Sequence, residues 1–478
     1  MFRQKPKERY LFTSRRKKRR QRRFLWLWLL ISAVLSLLVL ELVTRIFIDI
    51  TGRREEFTGT SEEQTIGSAY QLQFLNEAGE SYPGASEKGN LIAQRSLSVG
   101  YKLLGDIESP YWQINSQGFR DSEPLPVDKP EGEVRIFLLG SSTAFGYGSS
   151  SNQTTISEFL ETRLQKRLQQ QQGSPQLYKP DVLPLDGTAR AEALKKPSKL
   201  KPGNYRVINA AVPGYASGNQ LAQLALQIIK YKPDLILILN GYEDLMLPGD
   251  KTATQIPQLE EYLNDAPSYL MASVNKFLQP IEDKSYLVQI LQDSVLKPQD
   301  ITEDILVFRD KTGQELAQIA PQDAEELQRR IDRYFQNHKQ IVALATGTNA
   351  SVIVGTQPEI TGRNPSKLTP TEGEIVTQLG RTYIQTIKDN YPRFVGASRY
   401  LAKIFPQNVK AIDLYNLNDK YPSPSFIDAI HLTEPANAMV AEQFYYAIAA
   451  FSKMQVVPKE PPKPPQPKVT PVQNNVDD

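Results

Sequence analysis

Short, predominantly apolar runs alternate along this chain with longer stretches in which apolar residues recur every three or four positions. The runs Val134–Leu139, Val207–Val212, Leu235–Leu239, Val352–Val354 and Val409–Leu414 have the length and composition of buried parallel strands. Helical spacing marks Ile156–Leu168, Leu221–Ile229, Ala324–Leu344, Ile375–Ile387 and Ala436–Phe451. Strand and helix in alternation predict an α/β domain over residues 106–455, with crossover helices covering a mostly parallel five-stranded sheet. Two stretches break the rhythm. Residues 174–203, rich in proline, lysine and glycine, read as a surface insertion, and residues 245–340 as a mostly helical insertion between the third and fourth strands.

The ends of the chain differ from its middle. Residues 46–105 read as a polar stalk or linker, and residues 456–478, with Pro461-Pro462-Lys463-Pro464-Pro465, as a proline-rich tail that is extended or disordered. Twelve Lys and Arg against one Glu fill residues 1–23 and abut the apolar run that opens at Phe24. About 20 apolar residues suffice to cross a bilayer, so residues 24–45 are expected to form a transmembrane helix with Trp26 and Trp28 near the interface. A cleaved signal peptide fits less well, because its apolar region is shorter and no small-residue cleavage site follows Leu40. The basic block should remain cytoplasmic, which places the rest of the chain outside the cytoplasm.

Charge then narrows the function. Twelve of the 56 basic and one of the 53 acidic residues lie in that block, so residues 24–478 carry a net −8. A mildly acidic domain without a basic stripe gives nucleic acid no footprint. With no cysteine in the chain, disulfides, thiolate catalysis and cysteine-bound zinc are all excluded.

Only two histidines occur, and one of them closes Asp428-Ala429-Ile430-His431. A serine hydroxyl becomes a useful nucleophile when an imidazole accepts its proton and a carboxylate stabilises the resulting imidazolium. Ser142, in Gly140-Ser141-Ser142-Thr143 at the end of the first strand, is the matching serine. Gly214 and Asp244 likewise follow strands, at the end of an open parallel sheet where chemistry gathers. Thr433 is placed to cap the helix after His431. His338 falls in a polar-rich helix and reads as an exposed side chain.

Four blocks in this order resemble the SGNH, or GDSL-type, hydrolases: Gly140-Ser141-Ser142-Thr143, Asn209-Ala210-Ala211-Val212-Pro213-Gly214-Tyr215, Asn240-Gly241-Tyr242-Glu243-Asp244 and Asp428-Ala429-Ile430-His431. Asn115-Ser116-Gln117-Gly118-Phe119-Arg120 and Gln357-Pro358 are also similar to bacterial members. The resemblance covers about residues 110–452 and implies a three-layer, flavodoxin-like α/β/α fold. It implies Ser142 as nucleophile, His431 as base and Asp428 as its orienting carboxylate, with neither metal nor cofactor required. An oxyanion hole would draw on the amides of Ser142 and Gly214. The family's third donor is an asparagine where this chain has Glu243. An ionised carboxylate donates no hydrogen bond, whereas a protonated one donates a single bond. Three readings follow from that exchange: an active enzyme with a neutral Glu243, a slow enzyme using two amides, or a fold kept for binding. Asn240, expected on the opposite strand face, is no substitute.

The expected function is a membrane-anchored extracytoplasmic serine esterase acting through an acyl-enzyme. Its substrate would be an acylated small molecule or the O-acyl groups of envelope polysaccharide. The alternatives are a polysaccharide-binding domain or an O-acyltransferase. Envelope-assembly proteins are candidate partners.

Overall fold

The computed structural model describes residues 13–51, 62–76, 79, 89–96, 98–250, 285, 312–420, 422 and 424–462. Two compact units are present, the first made of Met1–Thr65, Tyr82–Ala85 and Tyr262–Asp300, the second of the remaining chain. In the first unit one helix, Thr13–Thr51, contains a 24-residue segment, Leu27–Ile50, long and apolar enough to cross a membrane. Glu41 within it accepts a hydrogen bond from Arg45 one turn later at 2.7 Å, which pairs the two charges along the helix.

The second unit is built on five parallel strands. Counting from the N-terminus, β1 (Leu72–Leu75), β2 (Leu91–Ser96) and β3 (Gly100–Leu103) form a small sheet, and β4 (Ile107–Ser109) pairs with β5 (Trp112–Ile114). The central sheet contains β6 (Glu133–Gly140), β7 (Asn204–Asn209), β8 (Leu235–Asn240), β9 (Ser351–Thr356) and β10 (Val409–Asp413) in the spatial order β7-β6-β8-β9-β10. All four pairings are parallel. This is a doubly wound order whose direction reverses between β6 and β8, the place where such folds open a crevice at the strand carboxyl ends.

Both faces of the sheet are buried, which is why its strands are apolar at nearly every position. On one face Phe137, Leu139, Ile236, Ile238, Val352 and Val354 pack with Leu224, Ile228, Ile341, Val342 and Leu401 from the covering helices. The other face carries the helices Ile156–Gly173 and Glu434–Ala449, which pack on each other as well as on the sheet. Each expected strand is present with ends shifted by a few residues, and β7 begins three residues before the expected Val207. The expected helix Leu221–Ile229 starts at Ser217 and passes into a π-turn over Leu224–Ile228. The expected Ile375–Ile387 lies within Pro370–Asn390, broken at Gly380 where φ is 74°.

Three expectations need correction. The described residues between 66 and 105 are not stalk: Tyr70, Leu72, Phe74, Leu91, Val99, Tyr101 and Leu103 are buried, and Trp112 Nε1 donates to the Ala69 carbonyl at 2.8 Å. The proline-rich tail does not begin at 456, because Val456 donates to the Lys199 carbonyl and Lys459 pairs with Asp181 and Leu183 of the 174–203 insertion. Residues 463–478 lie outside the described residues. Within the expected 245–340 insertion, Ala324–Gly347 is a crossover helix of the main fold that packs directly on β9, and residues 251–311 lie outside the description apart from Ser285.

Candidate active site

At the end of β6 the chain turns at once into the short helix Ser142–Phe145. The turn needs a residue without a side chain at 140, since a Cβ there would meet the Ala144 Cβ and the Leu239 carbonyl oxygen, both at 2.4 Å. Ser141 occupies the N-cap position but makes no side-chain cap, and Ser142 is buried.

His431 arrives from a tight loop after β10. Phe426 pairs with Leu432, Ile427 N–H donates to the His431 carbonyl, and Thr433 N–H to that of Ser425, so residues 425–433 form a closed hairpin-like turn. Asp428 Oδ1 accepts the amides of Ile430 at 3.0 Å and His431 at 2.8 Å, fixing the turn from within. Its other oxygen lies 2.6 Å from His431 Nδ1, and His431 Nε2 lies 2.8 Å from Ser142 Oγ. With Nδ1 facing a carboxylate, the proton belongs on Nδ1 and Nε2 is left to accept from the serine. Burial acts to raise the Asp428 carboxyl, but the imidazole and the two amides outweigh it and hold the group below its ordinary range. The structure therefore brings Ser142, His431 and Asp428 into one hydrogen-bonded chain.

The loop is tied to its surroundings at three points. Thr143 Oγ1 donates to the Ile430 carbonyl at 3.1 Å, and Ile360 N–H to that of Ala429 at 2.9 Å. Glu372, fully buried near the start of Pro370–Asn390, completes a capping box with Thr369 through one oxygen. Its other oxygen accepts the amides of Ser425 at 2.8 Å and Phe426 at 3.2 Å, while Arg363 lies 3.3 Å away. Thr433 departs from expectation: it sits at the N-cap of Glu434–Ala449, but its hydroxyl donates to the Pro424 carbonyl instead of capping.

The expected oxyanion donors are arranged differently from the simple hole that the sequence suggests. Gly214 N–H donates to Ser141 Oγ at 2.9 Å. Glu243 is 7% exposed, and its Oε2 has no hydrogen-bond partner among the described residues. Burial pushes its carboxyl up to about 7, against the opposing hydrogen bonds from Ser141 and its own backbone amide. Asp244 points elsewhere, accepting the Ser217 amide and hydroxyl. Asn240, as expected, faces away from Ser142, toward Gln220, Tyr334 and His338.

His338 is a correction. It is 1% exposed, with Nδ1 against the Tyr334 carbonyl and Nε2 against Asn240, and burial holds it below the usual histidine range. It belongs to the packing behind the sheet.

Sequence reasoning passed over the roles of Arg120 and Tyr147. Arg120 is buried and donates to the carbonyls of Phe145, Gly146, Tyr111 and Ser151, to Asn152 Oδ1 and to the Tyr70 hydroxyl. It thereby fixes the segment that follows Ser142. The Tyr147 ring is stacked on the His431 imidazole, with centroids 4.2 Å apart. Arg120 closes the Asn115–Arg120 block, so its position was visible in sequence although its partners were not.

Several solved structures align with the chain. A lipase/acylhydrolase from Enterococcus faecalis is 13% identical, covering 66% of this chain and 95% of its own, with a TM-score of 0.31. A putative lipolytic protein of the G-D-S-L family from Desulfitobacterium hafniense is 11% identical over 66% and 98%, with a TM-score of 0.30. A catalytic mutant of an acetylxylan esterase from Geobacillus stearothermophilus is 12% identical over 68% and 97%, with a TM-score of 0.32. Among curated proteins none matches the chain by sequence. The model of the GDSL-like lipase/acylhydrolase family matches residues 136–444, a span that opens in β6 just before Ser142 and closes beyond His431, and the chain belongs to that family.

Proposed function

We propose that this chain is a membrane-anchored serine esterase whose catalytic unit lies outside the cytoplasm and removes O-acyl groups from envelope polysaccharide. The observation that carries the chemistry is the continuous contact from Ser142 Oγ to His431 Nε2 and from His431 Nδ1 to Asp428. As Ser142 Oγ attacks the acyl carbonyl, its proton passes to Nε2 and Asp428 stabilises the imidazolium. Nε2 then returns that proton to the departing sugar oxygen as the carbon–oxygen bond breaks, leaving an acyl-serine. Water, deprotonated by the same nitrogen, releases the acid and restores the serine.

The apolar helix supports the membrane location, and the basic residues before it support the orientation. A glycan substrate rests on that orientation, which would set the serine facing the envelope and its O-acylated polysaccharides. A fluorophosphonate probe applied to the full-length protein in detergent tests the nucleophile, with labelling at Ser142 that disappears in Ser142→Ala and falls in His431→Gln. Release of acetate from O-acetylated glycan tests the substrate, and transfer to an added sugar acceptor in place of release would identify an acyltransferase.

A second reading has one observation in its favour. Gly214 donates to Ser141, and a carboxyl stands in the family's asparagine position, an arrangement that suits a binding domain with a weakened hole. Absence of labelling and turnover, with glycan binding retained, would establish that reading.

A further inference from the structure

We propose that Tyr147 is a positioning residue for the base: its ring face lies against the His431 imidazole, holds it toward Ser142 and favours the cation formed during proton transfer. The inference rests on the esterase reading above and adds a group to it.

The local chain is built to deliver this ring. Tyr147 N–H donates to the carbonyl of Ser142 itself at 3.0 Å, so nucleophile and tyrosine are fixed in one short turn. Gly146 and Gly148, on either side, both have positive φ, 92° and 77°. Space adds to this at Gly146, where a Cβ would meet Thr155 Cγ2 at 2.9 Å and the Arg120 guanidinium at 3.1 Å, whereas at Gly148 it would meet only the movable end of the Ile427 side chain. These two turns bring a buried tyrosine onto the imidazole, at 4.2 Å between centroids and 25° between planes.

The Tyr147 ring is itself supported. The Tyr70 ring lies 5.0 Å from it, and the Tyr70 hydroxyl donates to the Ser149 carbonyl at 2.5 Å while accepting from Arg120 at 3.0 Å. The charged groups around this assembly are Asp428 on the far nitrogen of His431, Arg120 beside Tyr70, and Glu434, which accepts from Ser150. Asp428 alone already favours the imidazolium; the Tyr147 face adds a second attraction, because the negative face of an aromatic ring draws a cation more strongly than a neutral ring.

The presence of only two histidines makes the test direct. The full-length protein in nanodiscs, with isotope-labelled histidine, gives two ring signals, and His431→Asn identifies one by its loss. The expected result is that Tyr147→Leu lowers the His431 titration midpoint by about 0.4 to 1.5 pH units. The acid limb of kcat/KM for an aryl ester should move to lower pH with it, and probe labelling of Ser142 should slow by about 2- to 30-fold. Tyr147→Phe keeps the ring face and should leave the midpoint in place. Tyr147→Met carries the same comparison if the leucine variant does not fold. A midpoint unchanged in the leucine or methionine variant, or lowered equally by phenylalanine, overturns the proposal while leaving labelling of the wild type intact. A midpoint that depends on Tyr147 in a protein the probe never labels overturns the esterase reading instead.

Discussion

Ser141 Oγ accepts the Gly214 amide at 2.9 Å and lies near enough to the Glu243 carboxyl to oppose the effect of its burial, so two groups expected to serve an oxyanion converge on a single hydroxyl. In the proposed reaction a substrate draws on Gly214 by displacing Ser141, and on Glu243 only while that carboxyl holds a proton.

Glu243 sits up at about 7 because of its burial, so it is increasingly ionised as pH rises through that value. An ionised carboxylate gives the oxyanion no donor and repels it. Ester hydrolysis should therefore decline above about pH 7, and Glu243→Gln should abolish that decline. At pH 8.5 only a few per cent of a carboxyl titrating at about 7 keeps its proton, so the gain in kcat should be on the order of ten- to thirty-fold, below the full value of one oxyanion donor. Rate profiles with a short-chain aryl ester decide it; an alkaline limb identical in the two proteins removes Glu243 from the hole.

Glu372 links the start of one helix to the loop carrying Asp428 and His431. Glu372→Ala leaves the Arg363 guanidinium without its buried carboxylate and two loop amides without an acceptor. A loss of about 3–5 kcal/mol in stability is expected, read from denaturant unfolding of the detergent-solubilised protein. The folded fraction should also show a lower kcat, because the loop then loses its registration against Ser142.

Glu359 accepts from Thr361 and from the Tyr383 hydroxyl, yet burial raises it to about 7. A carboxyl whose folded value lies above its unfolded one stabilises the fold fully below about 4.5, and that contribution fades as pH climbs to about 7. Glu359→Gln should thus raise stability at pH 8 relative to wild type and change little at pH 4.5. The difference is on the order of 3 kcal/mol at most. Melting temperatures of both proteins at the two pH values test the sign.

Tyr70→Phe removes the hydroxyl that bonds both the Ser149 carbonyl and Arg120. Leaving buried groups short of a partner costs about 1–3 kcal/mol. The variant should melt lower and lose probe labelling before global unfolding, as judged by parallel heating curves for labelling and circular dichroism.

How much of this could be read in advance depended on distance along the chain. The five strands declared themselves because burial on both faces forces an apolar run, and Asp428 and His431 because they lie three positions apart. The described residues between 66 and 105 were misjudged because their strands are only a few residues long and their core positions include tyrosines, whose polar ends disguise burial. Tyr101 spends its hydroxyl on the Pro213 carbonyl, and Tyr215 returns a bond to the Tyr101 carbonyl. His338 was misread because polar neighbours in sequence say little about which side of a helix faces inward. The pairing of Thr369 with Glu372 is a recognisable helix start, but the second task of Glu372 depends on Ser425, 53 residues further on. No local pattern announces such a contact.

Ser142 and His431 stand 289 residues apart along the chain. During synthesis the serine emerges long before the imidazole that would draw off its proton, and closing so large a loop is slow and entropically costly. A nascent polypeptide therefore carries an inert hydroxyl at position 142. Reactivity toward esters switches on only when the last loop seats, so chain completion itself acts as the safety on this chemistry.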